Sequence, residues 1–339
     1  MSLRSDNNSG LVLQGVRKEF QKLVAVDGIS FTVPRSSMFG LLGANGAGKT
    51  TTLRMVLNIL SPDAGTITWN GQPTAHVPRG TFGYLPEERG LYLKMKAGEE
   101  LVFLAGLYGV PSGEATRRAH EWLGRVGLGD AWNRKIEELS KGNQQKVQVL
   151  AAILHDPDLM LLDEPFSGLD PINTEILRDT LLQRRAQGHT IIFSSHRLEQ
   201  VEEICDHVAM IHKGRLLMAG SLADVKRRTD RRLVELAFTP ENGRTPDLDT
   251  FLPYLTPYHV IVQERRADSL RLELTDGTKP DQLLETAIQH GPGEVRRFEL
   301  VEPSLQEIFI AAVQAADPPA VEELVAEGSM PGGKVLTEG

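Results

Sequence analysis

Met38-Phe39-Gly40-Leu41-Leu42-Gly43-Ala44-Asn45-Gly46-Ala47-Gly48-Lys49-Thr50-Thr51-Thr52-Leu53-Arg54-Met55 is the stretch around which the chain is organised. Met38 to Leu42 reads as a short buried strand, and Thr52 to Leu57 reads as a helix. The glycine-rich segment between them fits the phosphate-loop pattern G-x-x-x-x-G-K-[ST], which needs a strand before it and a helix after it. Gly43, Gly46 and Gly48 keep side chains away and tolerate positive φ, so backbone N–H groups from Asn45 and Ala47 onward can converge on one phosphate. The helix opening near Gly48 adds its unpaired N–H groups and the positive end of its dipole. Lys49 is placed to reach the β- and γ-phosphates of a nucleotide such as ATP, and Thr50 to hold Mg²⁺ through its hydroxyl. Thr51 joins the nucleotide-binding set. A glycine turn that merely ends in Lys-Thr is the bland alternative, and the flanking strand and helix weigh against it.

The 339 residues are enough for a full core and suggest about two domains. Apolar residues make up 40% and charged residues 24%, an ordinary balance for a soluble protein. A formal net charge of −8 argues against a chain built to coat nucleic acid, and no nucleic-acid partner is expected. The single cysteine, Cys205, rules out an internal disulfide and fits a reducing compartment. Met1 to Gly10 is polar and lacks the apolar centre of a signal peptide. No run approaches the roughly 18–20 apolar residues that span a bilayer, so a membrane role would come through a partner.

Leu11, Leu13 and Val16 begin a strand pattern, and Val24 to Val33 gives a second. Arg17 to Lys22 between them reads as a charged turn carrying one aromatic, Phe20. Asn70-Gly71 is a hairpin signal. Leu91 to Leu154 reads as mostly helical, with Leu101, Leu104, Ala105 and Tyr108 at helical spacing. Leu159 to Leu162 and Thr190 to Phe193 are buried-strand runs separated by a helix over 176–187, which Gly188 ends. Strand–helix–strand with continuous apolar strands implies a parallel sheet covered on both faces. Val208–Ile211 and Arg215–Met218, turning at Lys213-Gly214, close a first domain over residues 11–225. Lys226 to Arg232 is a basic cluster that reads first as a solvated linker or helix end, with anionic lipid headgroups as the sharper alternative. Alternation at Val234–Phe238 and Leu270–Leu274, a turn at Asp276-Gly277, a helix over 281–290 and a strand over 295–301 predict a small α+β domain over 226–316. Ser304-Leu305-Gln306-Glu307 reads as a capping box. Disorder is expected over 1–10 and 317–339.

Leu161-Leu162-Asp163-Glu164-Pro165 places two acids at the end of an apolar strand, where a Mg²⁺-organising carboxylate stands beside a phosphate loop. Asp163 can hold metal-bound water. Glu164, one residue on, points elsewhere and can take a proton from the attacking water.

These motifs, with Leu139-Ser140-Lys141-Gly142-Asn143-Gln144-Gln145, Ser167-Gly168-Leu169-Asp170 and Ser194-Ser195-His196, occur in the order and spacing of an ABC-transporter ATPase cassette. The resemblance covers about residues 11–222. Gly83 to Tyr92 resembles the branch that includes drug- and sodium-efflux ATPases, whose short carboxy-terminal domain ends near a segment like Ser304–Phe309. The fold implied is an α/β P-loop NTPase ABC cassette, a mixed-sheet core plus a helical subdomain over about 88–155, followed by the small α+β domain.

The resemblance assigns further roles. Phe20 matches an aromatic that stacks on adenine; by itself it reads as a core residue. Ser140 and Gly142 match a signature loop that faces the γ-phosphate held by the opposite chain. Asp170 matches a loop linking the two sites, and His196 a histidine that touches the γ-phosphate. Glu87 stands where the family has a glutamine that reaches Mg²⁺ and senses the membrane subunit, with Glu88 as the alternative. Lys141 and Asn143 depart from the usual glycine and glutamine of the signature. The function implied is an ATP-hydrolysing subunit, peripheral on the cytoplasmic face of a membrane. It would dimerise around two ATP, as a homodimer, and drive a polytopic permease, in the direction of export. A soluble ABC ATPase working on ribosomes or DNA is the rival, disfavoured by the single cassette, the lack of a heptad insertion and the acidic balance. A binding regulator without hydrolysis is disfavoured by the intact Asp163, Glu164 and His196.

Overall fold

A computed structural model describes residues 10–88, 90–228, 231–240, 244–275 and 277–317. Most of the two expected tails, 1–9 and 318–339, together with Arg89, Thr229, Asp230 and Asp276, lie outside the described residues. Gly10 and Asp317, their inner ends, are anchored: Gly10 exchanges hydrogen bonds with Asn70, and the Asp317 amide donates to Val313. The chain forms two compact units. One runs to Leu222 and resumes at Phe309, and the other is Ala223–Ile308.

In the first unit, β1 (Leu11–Phe20), β2 (Leu23–Val33), β4 (Ala64–Trp69) and β5 (Gln72–Pro73) form an antiparallel sheet in the order β2-β1-β4-β5. β3 (Met38–Leu42) lies in a second sheet with β6 (Phe82–Leu85), β7 (Leu159–Asp163), β8 (Thr190–Ser195), β9 (His207–His212) and β10 (Arg215–Ser221), ordered β10-β9-β3-β8-β7-β6. Its strands are parallel except β10, which returns antiparallel beside β9. Every residue of β3, β7 and β8 is buried, as strands covered on both faces must be. One apolar cluster ties the two sheets together, joining Leu11, Leu13 and Ile29 to Phe39, Leu161, Ile192 and Ile211. Leu53, Met55 and Val56 of α1 (Lys49–Val56) belong to the same cluster, so the helix after the glycine loop is built into the core.

The charged segment after Val16 is not a turn, as the sequence alone suggests, but the end of β1. Its cations find acids alongside the strand: Arg17 pairs with Asp27, and Lys18 Nζ lies 2.8 Å from Asp63 Oδ1. Only Gln21-Lys22 turn the chain, Gln21 at φ 54°. The helical region comprises α2 (Ala97–Leu107), α3 (Ser112–Arg125) and α4 (Lys141–Ile153). α5 (Pro171–Ala186) and α6 (Leu198–Ile204) flank β8 in sequence. No helix among the described residues is long and apolar enough to cross a membrane.

α7 (Leu222–Arg228) leads into the second unit. Its end carries the basic cluster, whose charges are partly engaged: Arg227 with Asp224 at 2.6 Å, and Arg231 with Glu273 at 2.5 Å. β11 (Arg232–Phe238), β12 (Val260–Arg265), β13 (Ser269–Leu274) and β14 (Val295–Val301) form an antiparallel sheet ordered β12-β13-β11-β14. α8 (Leu252–Leu255) and α9 (Pro280–His290) supply Leu255, Leu283 and Ala287 to a core with Val234, Leu236 and Phe238. α10 (Leu305–Ala316) opens on the capping box: Ser304 Oγ accepts from the Glu307 amide, and the Ser304 amide donates to Glu307 Oε2.

Candidate active site

β3 is flanked on both sides by parallel strands, β8 and β9, so the loop leaving its carboxyl end emerges at the centre of the sheet. Gly43 and Gly48 bound that loop with φ of 155° and 107°. A Cβ at Gly43 would meet the Ile211 carbonyl oxygen at 2.3 Å, and one at Gly48 the Ala25 carbonyl oxygen at 2.5 Å, so neither place admits a side chain. Lys49, 6% exposed, turns back into the loop and donates to the carbonyls of Gly43 at 2.7 Å and Ala44 at 3.1 Å. Burial lowers its pKa, opposed by the carboxylates of Glu164, Asp163 and Glu87, in that order.

Asp163 ends β7 and Glu164 follows it. Asp163, 1% exposed, accepts at Oδ1 a hydrogen bond from Ser194 Oγ at 2.5 Å, while its buried Oδ2 has no hydrogen-bond partner. A buried carboxylate oxygen without a partner is costly unless something binds it. Thr50, Glu87 and Asp163 line one cavity, and their hydroxyl and carboxylate oxygens are hard donors of the kind that fits Mg²⁺. Glu164 stands at φ 48°, its amide donating to Ser194 Oγ at 3.0 Å. Its Oε1 lies 2.9 Å from His196 Nδ1 and 3.9 Å from Lys49 Nζ. A nearly buried carboxylate flanked by an imidazole and an ammonium can hold and pass a proton.

These groups surround one cavity of about 570 Å³. Its lining includes Phe20, the loop from Asn45 through Gly46, Ala47, Gly48, Lys49 and Thr50 to Thr51, and the acids Glu87, Asp163 and Glu164. Gly43 lies beneath as an acceptor for Lys49, and His196 is held on through Glu164. Phe20 is 41% exposed, with Lys18 Nζ 5.6 Å from its ring centroid, so it is a wall residue and not the core residue its isolated reading suggests. Glu87 is on the wall and Glu88 is not. Gln148 Nε2 fixes the backbone on either side of Glu87, donating to the carbonyls of Pro86 at 3.2 Å and Glu88 at 3.1 Å.

Ser140, Gly142 and Asp170 are not among the lining residues. Ser140 caps α4, accepting from the Asn143 amide, and Asp170 caps α5, accepting from the Asn173 amide at 2.9 Å. The Asn173 backbone and side-chain N–H groups pull the Asp170 pKa down. The two helix starts are neighbours, a Cβ at Gly142 falling 3.5 Å from Leu169 and 3.6 Å from Asn173.

Other parts of the wall escaped the sequence reading. Leu23, Val24 and Ala25 line the cavity but carry nothing chemical to single them out. Lys213 and Gly214, legible only as a hairpin turn, reach it because the Gly214 amide donates to Ala47 at 3.0 Å. Lys213 Nζ pairs with Asp317 at 2.6 Å.

Residues 26–167 match the family model described as ABC transporter, and residues 220–313 that of the DrrA1-3-like ATP-binding protein C-terminal domain. The chain is 44% identical over 306 residues to the uncharacterized ABC transporter ATP-binding protein YhaQ of Bacillus subtilis (strain 168), covering 90% of this chain and 99% of that one. It is 37% identical over 219 residues to the linearmycin resistance ATP-binding protein LnrL of the same organism, covering 63% and 70% respectively. A solved structure of an ATP binding subunit of an ABC transporter aligns with a TM-score of 0.61 at 33% identity, over 65% of this chain and 93% of that one.

Proposed function

The chain belongs to the ABC transporter ATP-binding proteins, which are ATPases, and from that premise we propose that it drives a separate membrane permease for export. The observation that carries the reading is the cavity that gathers the phosphate loop, Asp163 and Glu164 while leaving Ser140 and Gly142 off its wall. Such a cavity is half of a site, and a second chain would complete it.

In this reading the backbone N–H groups of the loop and the start of α1 bind the phosphates of ATP. Lys49 leaves the Gly43 and Ala44 carbonyls, which it contacts at 2.7 and 3.1 Å, to meet the β- and γ-phosphates. Phe20 stacks on the base. Thr50, Asp163 and Glu87 would hold Mg²⁺, which when bound neutralises phosphate charge. Glu164 takes the proton of the attacking water, and His196, 2.9 Å away, orients that carboxylate and reaches toward the γ-phosphate. Ser140 and Gly142 at the start of α4 close over the phosphate bound by the opposite chain, and Asp170 links the two sites. Closure around two ATP and reopening after hydrolysis form a two-state cycle that ATP binding biases. The permease would dock between Glu87 and Tyr108, which places the chain peripherally on the cytoplasmic face of the membrane. Export is supported by the resemblance of Gly83 to Tyr92 to the efflux branch of the family and by the relative named for linearmycin resistance.

Glu164→Gln tests the reading. Expected are unchanged ATP binding, turnover lower by about 10²–10⁴-fold, and a dimer stabilised by ATP on gel filtration. Wild-type turnover in that variant removes Glu164 from the base role. A mild-detergent pull-down should bring a polytopic membrane protein with the chain. Ribosomal proteins or DNA in its place support the soluble alternative.

A further inference from the structure

We propose that Ser194 is a positioning residue that sets both acids of the nucleotide site through one hydroxyl; the inference rests on the ATPase reading of that site. β7 and β8 pair in parallel with Asp163 opposite Ser194, so the register places the two side chains next to each other. Ser194 is fully buried, at 0% exposure. A buried hydroxyl is unfavourable unless it is bonded, and alanine or valine would satisfy packing alone.

Ser194 Oγ donates to Asp163 Oδ1 at 2.5 Å and accepts from the Glu164 amide at 3.0 Å. A hydroxyl has one proton and two lone pairs, so both bonds form together and their directions are fixed: the carboxylate must accept and the amide must donate. The first bond occupies one oxygen of Asp163 and leaves Oδ2 as its free acceptor. The second holds the amide of a residue whose backbone stands at φ 48°, a conformation that side-chain-bearing residues avoid. From that backbone the Glu164 carboxylate reaches His196 at 2.9 Å. Ser194 thus couples the metal-side acid to the water-side acid without itself lining the cavity. Partners of this kind orient the groups that do the chemistry, and losing one costs about 10–100-fold in metal affinity or activity.

The test uses the full chain with Ser194→Thr, Ser194→Val and Ser194→Ala. Threonine and valine have nearly the same shape and differ by the hydroxyl. ATP affinity is measured by calorimetry in Mg²⁺ and in EDTA, and kcat and KM are measured alongside. Valine and alanine should lower the gain in ATP affinity that Mg²⁺ provides, and kcat, each by about 10–100-fold. Affinity in EDTA, which the phosphate loop sets, should be unchanged. Threonine should restore both quantities. A valine or alanine variant with a wild-type Mg²⁺ gain and kcat overturns the inference, as does a threonine variant no better than valine. If valine lowers affinity in EDTA, showing a damaged fold, the alanine–threonine pair decides by the same criteria. An unmodified chain without ATP turnover sinks the ATPase reading, whereas normal turnover with indifferent Ser194 variants sinks this inference alone.

Discussion

Phe20 occupies an odd place for an aromatic, at the exposed end of β1 on the wall of the nucleotide cavity. Nothing in the described structure packs its ring into a core, while a cation, Lys18, lies 5.6 Å from the ring centroid. A ring in that position can offer its π face to a base without reading base identity. Phe20→Ala should therefore weaken ATP and GTP binding alike, by the roughly 1–3 kcal/mol that stacking on one base contributes. Phe20→Trp should keep both affinities. Calorimetry with the two nucleotides checks this, and a loss confined to ATP would mean that Phe20 reads the base edge. Glu164 is a different kind of odd residue. Its left-handed backbone costs about 1–3 kcal/mol, and the neighbouring structure has to hold it there. Its amide bond to Ser194 and its carbonyl bond from the Ser167 amide, at 3.1 Å, do so. Glycine at this position would relax the backbone but discard the carboxylate.

Among the elements, α2 carries a buried carboxyl that the nucleotide site does not use. Glu100 is 0% exposed; Oε1 accepts from the Tyr92 amide at 2.8 Å, and Oε2 is buried without a partner. Burial raises its pKa above 4.5, with the Tyr92 N–H opposing. The folded chain therefore keeps this proton at pH values where the unfolded chain has released it. The stability it contributes falls as pH rises through the raised folded value. Glu100→Gln, which keeps the acceptor for Tyr92 and never ionises, should melt higher than the wild type at mildly alkaline pH. The gap should close as pH falls toward 4.5. A gap independent of pH would show that ionisation of Glu100 is not the source. Local pattern was enough to read most elements: the apolar runs Leu159–Leu162 and Thr190–Phe193 became β7 and β8, and Lys213-Gly214 became the turn between β9 and β10. The end of β1 was not legible, because its charges are balanced by Asp27 on the neighbouring strand β2 and by Asp63, 45 positions from Lys18. Ser194 belongs to the motif that ends at His196, but the sequence assigns it no role, for the same reason. Its role depends on a strand register that joins residues 31 positions apart, and a serine after an apolar run looks only small. The phosphate loop and the Asp163-Glu164 pair can be read directly because their chemistry sits in consecutive positions, whereas Phe20, Glu87, Ser140, Gly142, Asp170 and His196 come only from the family resemblance.

At the level of the whole molecule, the cavity contains the groups proposed to bind phosphates and take a proton, yet Ser140, Gly142 and Asp170 start helices away from its wall. A chain working alone would then bind ATP and turn it over poorly. The proposed homodimer can be tested with two damaged chains. Lys49→Ala removes the phosphate-loop cation and leaves the signature intact; Ser140→Ala does the reverse. Each should be nearly inactive alone, since both sites of either homodimer carry the defect. In a mixed dimer the intact loop of the Ser140→Ala chain meets the intact signature of the Lys49→Ala chain, giving one undamaged site. Mixing the two proteins should therefore recover ATP turnover that neither shows by itself, and the recovery should grow with total protein concentration as dimers form. If Ser140 served the site of its own chain, every site in every dimer would remain damaged and mixing would recover nothing. A mixture no more active than its parents would overturn the composite homodimeric site.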